Sequence, residues 1–445
     1  MLGMLASACR NNDEELIFDK TADERVAEAT ANLRQKLTAP ANGWIMRYQP
    51  VPESGTYNVL LNFDDDGGVR IRTDFGVNDN EFYDQMNTYR VDNSLGLELI
   101  FESYSFFSYL FEQDQATFEA EYEFIYVNET PNGELVFTSK TDLSFASSTI
   151  VVLEPAPDNA EALLGRQINA NLETLSETLS LTSPVYRLDY LNLDLSLYLS
   201  LDIGTRSVSF TYASSRTGER GQTLTTTTGY TLQGNTMTLA EPLTGSFAGT
   251  ELVLSAISFS ELADASPLEV CNQTLPVQQY RGTTAENNEP VTLQTTLFDP
   301  AAANFRDEFS FFNSPLGFFY NNGESVGQQM ADEIQGVQSF QFYYRADQEE
   351  PFIAMGYLIV GENDNATFAL KDFTAIVENN RIQFEFAPEY TLYNDTTATV
   401  NTGAMDFYLN KLTENNEAYL FKVSENVFEM YNPCNGWSAL FGAFN

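Results

Sequence analysis

The segment LNLDLSLYLSLDI, residues 191–203, is the feature that most constrains the fold of this chain. Leucine or isoleucine occupies every second position from Leu191 to Ile203, and the positions between them carry Asn, Asp, Ser or Tyr. Successive side chains of a β-strand point to opposite faces, so this pattern predicts a strand with one packed face and one wet face. Tyr198 lies on the predicted wet face.

The rest of the chain repeats short apolar strand segments joined by turn residues. Hairpin turns are predicted at Asp64-Asp65-Asp66-Gly67-Gly68, Pro131-Asn132-Gly133 and Gly234-Asn235. Helices are predicted at 22–37, where Thr21 and Glu24 form a capping box, from Asp158 to Leu179, and at 324–337 and 405–412. The sequence therefore predicts an α+β fold that is dominated by mostly antiparallel β-sheets and carries a few amphipathic helices.

The length of 445 residues exceeds one ordinary hydrophobic core and indicates two or three domains. We expect a signal and tether at 1–20, an N-terminal α+β region at 21–270 and a C-terminal β-rich domain at 271–445. The N-terminal region could consist of two similar halves, 21–156 and 157–270. Each half has a helix followed by a strand that bears Arg and Tyr, and then hairpins.

Charge and the lack of histidine exclude several classes of function. The chain has 63 acidic and 22 basic residues, and its net charge of −41 repels the phosphates of nucleic acids and anionic lipid headgroups. It has no histidine, so it lacks the base of Ser-His-Asp and Cys-His hydrolases and the ligands of HExxH zinc enzymes. We therefore predict no enzymatic activity and no cofactor. A pair of carboxylates, as in glycosidases, is the one catalytic arrangement that stays open.

The stretch Leu5-Ala6-Ser7-Ala8-Cys9 resembles a bacterial lipobox, in which small residues precede the cysteine that receives lipid. Only eight residues precede Cys9 and none is basic, so we expect the natural signal to begin further upstream. The acidic residues after Cys9 resemble the export signal of surface lipoproteins in the Bacteroidota. The alternative is that Cys9 is an ordinary thiol in a frayed terminus.

Residues around the first predicted helix carry a resemblance to a known family. Phe18-Asp19, Thr21, Glu24-Arg25, Leu33, Leu37 and Gly43-Trp44 are similar to the opening of an uncharacterised family of Bacteroidota surface lipoproteins. That family is named only as a domain of unknown function, and the resemblance extends over most of the chain. The resemblance implies a surface role in nutrient capture, because genes of the family often lie near those of polymer-uptake receptors and secreted metallopeptidases. It transfers no catalytic residue.

If Cys9 carries lipid, Cys271 and Cys434 remain as a pair. An oxidising compartment favours a disulfide between them, which would close a long loop. Two buried free thiols are the alternative.

The acidic turn at residues 64–66 and the segment Glu362-Asn363-Asp364-Asn365 could each offer oxygen ligands to calcium. Neither has the spacing of a calcium loop, so we interpret both as solvated turns and predict no metal site. Asp395-Thr396-Thr397 resembles an acceptor site for O-linked glycans.

Aromatic side chains supply the candidate binding residues. Two Phe-rich runs, at 101–111 and 309–320, are interpreted as core because Phe is usually buried. Tyr198 and Trp437 are the candidates for a binding platform, because Tyr and Trp offer an apolar face together with a polar group.

These observations predict a lipid-anchored outer-membrane protein that is exposed at the cell surface, with the periplasmic face as the alternative. Its expected role is non-enzymatic binding of an extracellular polymer or peptide, in connection with an uptake complex and without nucleic acid. Its expected contact with the membrane is through the lipid alone. The alternatives are a structural or adhesion subunit of a surface complex and, third, a carboxylate-dependent glycosidase.

Overall fold

The protein is described from a computed structural model. The structure describes residues 20–50, 54–78, 81–94, 96–112, 120–140, 149–193, 195–212, 224–247, 249–305, 311–345, 352–361, 365–394 and 399–444. The chain divides into two compact units, Met1–Val51 with Val59–Glu161 and Pro52–Asn58 with Ala162–Asn445. Antiparallel strands make up most of both, so the predicted β-dominated α+β fold is confirmed.

The first barrel is a closed ring in which eight strands follow one another in chain order. Its strands are β1 (Trp44–Tyr48), β2 (Tyr57–Phe63), β3 (Gly68–Asn78), β4 (Glu81–Asn93), β5 (Leu97–Phe101), β6 (Glu123–Glu129), β7 (Leu135–Ser139) and β8 (Ile150–Pro155). The helix α1 (Ala22–Thr38) precedes them, and α2 (Phe106–Glu112) lies between β5 and β6.

The helix α1 follows from local sequence, whereas α2 is placed by its packing in the core. Thr21 and Glu24 form the predicted capping box at the start of α1, which is confirmed. The short helix α2 contributes Phe106 and Phe107 to the core, and the ring of Phe107 contacts Phe101 at 4.5 Å between centroids. The core interpretation of the first Phe-rich run is thus confirmed for these residues.

The second barrel closes in the same way but carries an inserted hairpin. Its strands are β9 (Val185–Tyr190), β10 (Leu195–Asp202), β11 (Ser207–Tyr212), β12 (Leu224–Gln233), β13 (Thr236–Phe247), β14 (Thr250–Asp264), β17 (Gln278–Thr284) and β18 (Pro290–Thr296). The inserted hairpin consists of β15 (Leu268–Val270) and β16 (Gln273–Leu275). Two helices, α3 (Ala160–Leu163) and α4 (Arg166–Glu177), precede β9.

The third sheet has eleven strands. They are β19 (Phe311–Pro315), β20 (Phe319–Asn321), β21 (Glu324–Ser325), β22 (Val337–Arg345), β23 (Phe352–Val360), β24 (Ala366–Glu378), β25 (Arg381–Phe386), β26 (Thr391–Tyr393), β27 (Glu417–Ser424), β28 (Val427–Asn432) and β29 (Trp437–Phe444). Because β19 pairs with both β22 and β29, the long strands also close into a ring, which we call the third barrel. Helices α5 (Gly327–Glu333) and α6 (Thr402–Leu412) pack against it.

Within the second unit, polar contacts and a disulfide join the second and third barrels. The carboxylate of Asp299, in the connection after β18, accepts hydrogen bonds from the backbone N–H of Ala301 at 2.8 Å and of Lys422 in β27 at 2.7 Å. Glu429 in β28 accepts from the N–H of Thr182, just before β9, at 3.0 Å. These bonds offset part of the cost of burying the two carboxyl groups in the contact.

Three predicted elements were wrong in extent. The alternating strand begins at Leu195 rather than Leu191, because β9 ends at Tyr190 and the chain must turn before β10. The helix predicted from Asp158 to Leu179 is divided into α3 and α4. Gly165 separates them and packs so closely on Leu232 that an added Cβ would lie 2.3 Å from the Leu232 Cβ.

The helix predicted over 324–337 is shorter and spans only Gly327–Glu333. The helix predicted over 405–412 is confirmed as the main part of α6. Among the described residues, no helix combines the length and the apolar composition needed to cross a membrane.

The predicted domain division at 270 and 271 falls inside the inserted hairpin. β17 and β18, which come after it, pair with β14 and β9 of the second barrel. The two proposed similar halves, 21–156 and 157–270, coincide with the first barrel and with the larger part of the second.

Candidate functional site

Two rows of polar side chains cross the outer wall of the second barrel. They run over five neighbouring strands, in the spatial order β10, β9, β18, β17 and β14. The first row consists of Tyr198, Arg187, Gln294 and Gln279. The second row consists of Ser196, Asp189, Thr292, Arg281 and Glu261.

The alternation of each strand explains why these side chains face outward. Tyr186, Leu188 and Tyr190 of β9 are buried in the barrel core, so Arg187 and Asp189 point away from it. Tyr280 of β17 and Leu293 of β18 are buried in the same core, and their neighbours in sequence therefore lie on the wall. Pairing between the strands then aligns the outward residues in rows.

The rows border a cavity of about 510 Å³, which we call the wall cleft. Its lining includes Arg187, Asp189, Leu191, Gln279, Arg281 and Gln294. Leu191 is 60% exposed and offers an apolar contact beside these polar groups. The wall cleft thus combines convergent polar groups with an exposed apolar contact, as ligand-binding sites do.

Ion pairs hold the two arginines in place. The Nε of Arg187 donates to Asp189 at 2.9 Å, and Nη1 of Arg281 donates to Glu261 at 2.7 Å. The hydroxyl of Ser196 donates to the other oxygen of Asp189 at 2.5 Å. Exposed pairs of this kind contribute little to stability, but they orient the planar guanidinium groups on the wall.

Tyr198, one of the two predicted platform residues, lies at one end of the first row. Its side chain is half-buried, and its ring contacts that of Phe298 edge-on at 5.0 Å between centroids. Burial raises the pKa of the Tyr198 hydroxyl, while the neighbouring Arg187 acts in the opposite direction. Tyr198 therefore keeps a neutral hydroxyl beside a guanidinium, but it is not part of the lining of the wall cleft. Its side chain also packs against the apolar cluster that contains Leu181 and Tyr431.

Trp437, the other predicted platform residue, is placed differently. It is 6% exposed and belongs to the core of the third barrel, where its ring contacts that of Tyr408 at 6.0 Å. The structure therefore does not bring Trp437 together with Tyr198, and it gives the indole a packing role.

Cys271 and Cys434 are joined by a disulfide in the structure, with 5.3 Å between their Cα atoms. Cys271 lies in the turn of the inserted hairpin, and Cys434 lies in the turn between β28 and β29. The carboxyl of Glu417 lies beside both sulfur atoms, but it also accepts a hydrogen bond from the Nε of Arg381 at 2.9 Å. A disulfide offers no thiolate, so this cluster in its present form does not suit a metal ion.

The turn at residues 64–68 forms the predicted hairpin between β2 and β3, which is confirmed. Asp64 Oδ1 accepts from the backbone N–H of Asp66 at 3.0 Å and of Gly68 at 2.6 Å, so its carboxylate stabilises the turn itself. Cys9, the segment 362–364 and the segment 395–397 lie outside the described residues.

A glycosidase requires a carboxyl group whose pKa is raised, beside the substrate. Among the described residues, burial raises the pKa of Glu173, of Asp299 to about 6, and of Glu429. None of these three lines the wall cleft. Asp299 and Glu429 are engaged in the contact between the second and third barrels.

Sequence reasoning identified Tyr198 but missed Arg187, Asp189, Gln279, Arg281 and Gln294. The sequence contains only a weak indication that these five residues form a site. Each of these residues occupies an alternate position of a strand segment, as in VYRLDY and QQYRG. Such positions are normally solvated, and only strand pairing shows that these five share one surface.

Comparison with known proteins identifies a family but no relative of known function. No curated protein matches the chain. One similar solved structure is described as the H. pylori beta clamp in complex with 5-chloroisatin. It is 9% identical, the match covers 95% of this chain and 98% of that chain, and the TM-score of 0.13 is too low to support any argument. The model of the family described as "Domain of unknown function (DUF4302)" matches residues 14–250. Since this match spans more than half of the chain, the protein belongs to that family.

Proposed function

We propose that this protein is a surface lipoprotein of the Bacteroidota type that captures an extended polymer, without modifying it, for uptake. The wall cleft is the observation that carries the proposal. Its polar groups lie in two rows across five strands, so it suits a ligand that is longer than a single small molecule.

The proposed location rests on the lipobox-like stretch that ends at Cys9, the acidic residues after it and the resemblance to surface lipoproteins. The disulfide between Cys271 and Cys434 supports a location outside the cytoplasm, because reducing conditions oppose such bonds. On this proposal, lipid on Cys9 attaches the protein to the outer membrane. The acidic body needs no further contact with the membrane.

Binding is tested with the full chain and a panel of glucans, mannans, xylans, uronate-containing glycans, sulfated glycans and peptides. The test variant is Arg187→Ala/Arg281→Ala. The control is Arg70→Ala/Arg90→Ala, which removes two arginines from the first barrel that are paired with carboxylates in the same way. The exposed fractions of these side chains are similar: 37% and 50% at the test positions, 50% and 47% at the control positions.

Both double variants change the net charge equally, so a general electrostatic effect would alter binding of both to the same extent. We expect at least one polymer to bind, with affinity lower by ~tenfold or more in the test variant and unchanged in the control. Failure of every polymer to bind, or equal losses in both variants, would overturn the proposal.

Lipid attachment is tested separately by mass spectrometry of the protein isolated from its own host. The expected mature protein begins at Cys9 and carries fatty acids. A mature terminus elsewhere without fatty acids would overturn the proposed location.

A further inference from the structure

We infer that the polymer bound at the wall cleft is an uncharged glycan. This inference rests on the proposed function and names the chemical class of its ligand. The first supporting observation is the charge balance of the wall. Arg187 and Arg281 each pair with one carboxylate, Asp189 and Glu261, so the guanidinium charges are compensated locally.

The charge of the whole chain favours the same class. A polyanion that approaches the wall cleft meets compensated arginines on a protein of net charge −41, and the field repels it. A polycation gains from the overall charge, but the carboxylates of the wall, Asp189 and Glu261, are already paired with the two arginines. An uncharged polymer avoids both penalties.

The hydrogen-bonding groups of the cleft suit hydroxyl groups. Gln279 and Gln294 each carry an amide that both donates and accepts, and they are direct neighbours in the first row. Arg187 is the cross-strand neighbour of Gln294, and its guanidinium adds further donors to the same surface. Neighbouring hydroxyls of a sugar ring also both donate and accept, so planar side chains of this kind can bond two of them at once.

Apolar contacts complete the site. Leu191 is 60% exposed at the cleft, and Tyr198 is held by Phe298 at the end of the first row. Sugar rings carry C–H faces that pack on apolar and aromatic side chains. Recognition of hydroxyl groups alone would not require apolar side chains at the site. Strand addition, one common mode of binding an extended peptide, needs a free strand edge, and the wall of the closed second barrel does not offer one at the cleft.

The spacing of the rows gives the direction of the ligand. Neighbouring strands are about 4.8 Å apart, so each step along a row is comparable to the repeat of one sugar in an extended chain. The glycan therefore lies across the strands, from Arg187 over Gln294 towards Gln279, with successive sugars over successive strands.

The test measures affinity of the full chain by titration calorimetry with short soluble fragments of glucan, mannan and xylan. Fragments of uronate-containing and sulfated glycans, and peptides, serve as comparison probes. Each titration is repeated at about 50 mM and about 500 mM NaCl, since salt screens ionic contacts and leaves neutral hydrogen bonds nearly unchanged. The variant is Gln294→Ala. The control is Gln85→Ala, which removes an exposed glutamine from β4 of the first barrel.

We expect an uncharged fragment to bind with an affinity that changes less than about twofold with salt. Gln294→Ala should weaken binding ~tenfold, and Gln85→Ala should leave it unchanged. Circular dichroism and thermal unfolding show whether each variant is folded.

Three other outcomes are distinguishable. Binding of only charged glycans or peptides, lost in Arg187→Ala/Arg281→Ala, would leave the proposed function standing and overturn this inference. Binding of an uncharged glycan that is unaffected by Gln294→Ala would overturn the position of the site. If no probe of any class binds, the proposed function and the inference both fail.

Discussion

Removal of the disulfide between Cys271 and Cys434 provides the most quantitative test of how the second unit is held together. The two residues are separated by 163 positions. In the chain-entropy model, a cross-link over a loop of this length constrains the unfolded chain and stabilises the folded state by about 5 kcal/mol. The double variant Cys271→Ala/Cys434→Ala should lose that contribution, while the barrels themselves remain intact.

The fluorescence of Trp437 reports the relevant transition, because its buried indole lies three residues after Cys434. The chain has two tryptophans, and Trp44 belongs to the first barrel, so the measurement uses a Trp44→Phe background. In this background Trp437 is the remaining tryptophan, so its fluorescence follows the unfolding of its own barrel. The measurement is therefore valid even if the several barrels of the chain unfold in separate steps.

For a urea dependence of roughly 2.5 kcal/mol per molar, the loss corresponds to a midpoint that is lower by roughly 2 M. The parent with its disulfide intact, in the same Trp44→Phe background, serves as the reference. When the disulfide of the unfolded parent is reduced, its refolding curve should coincide with that of the double variant. A midpoint difference of less than about 0.2 M would refute the reasoning, because it would correspond to about 0.5 kcal/mol.

Three further predictions follow from single residues. Burial raises the pKa of Asp299 to about 6 from 3.8, so the folded state holds the proton more tightly than the unfolded chain. The free energy of unfolding should therefore fall by about 3 kcal/mol in total as the pH rises from about 3 to about 7, most steeply between about 4 and about 6, and Asp299→Asn should remove that slope in urea titrations. Phe107→Ala empties a fully buried site in the first barrel and should cost about 3–5 kcal/mol in the unfolding transition reported by Trp44; a loss below about 1 kcal/mol would contradict the packing. Thr21→Ala removes the cap of α1 and should destabilise this helix by about 1 kcal/mol, measured as faster amide exchange in its first turn, whereas Thr21→Ser should leave exchange unchanged.

Local features were predictable because they depend on residues close in sequence. The capping box of α1, the hairpin at 64–68 and the buried face of β10 each follow from a pattern within a few residues. Predictions were less accurate where distant contacts intervene. The apolar periodicity predicted one continuous helix from Asp158 to Leu179. In the structure, Gly165 lies between α3 and α4 and packs against Leu232 in β12.

The candidate site was only partly predictable for the same reason. Alternation in a strand determines that Tyr198, Arg187 and Gln294 leave the core, but it does not determine which outward residues are neighbours. Arg187 and Gln294 are adjacent because β9 and β18 pair when the second barrel closes, although they are far apart in the chain. Trp437 was predicted to be a binding residue, but it is buried in the core of the third barrel. The residues next to it in sequence do not indicate this burial.

The sequence by itself thus determined the class of fold, the two faces of its strands, and the extreme acidity and missing histidines that restrict its chemistry. The tertiary structure alone decided how the strands close into rings, which polar residues line the wall cleft and whether Cys271 and Cys434 are bonded. The physical reason is that side-chain periodicity acts within one strand, whereas strand neighbours are chosen by the packing of a complete core.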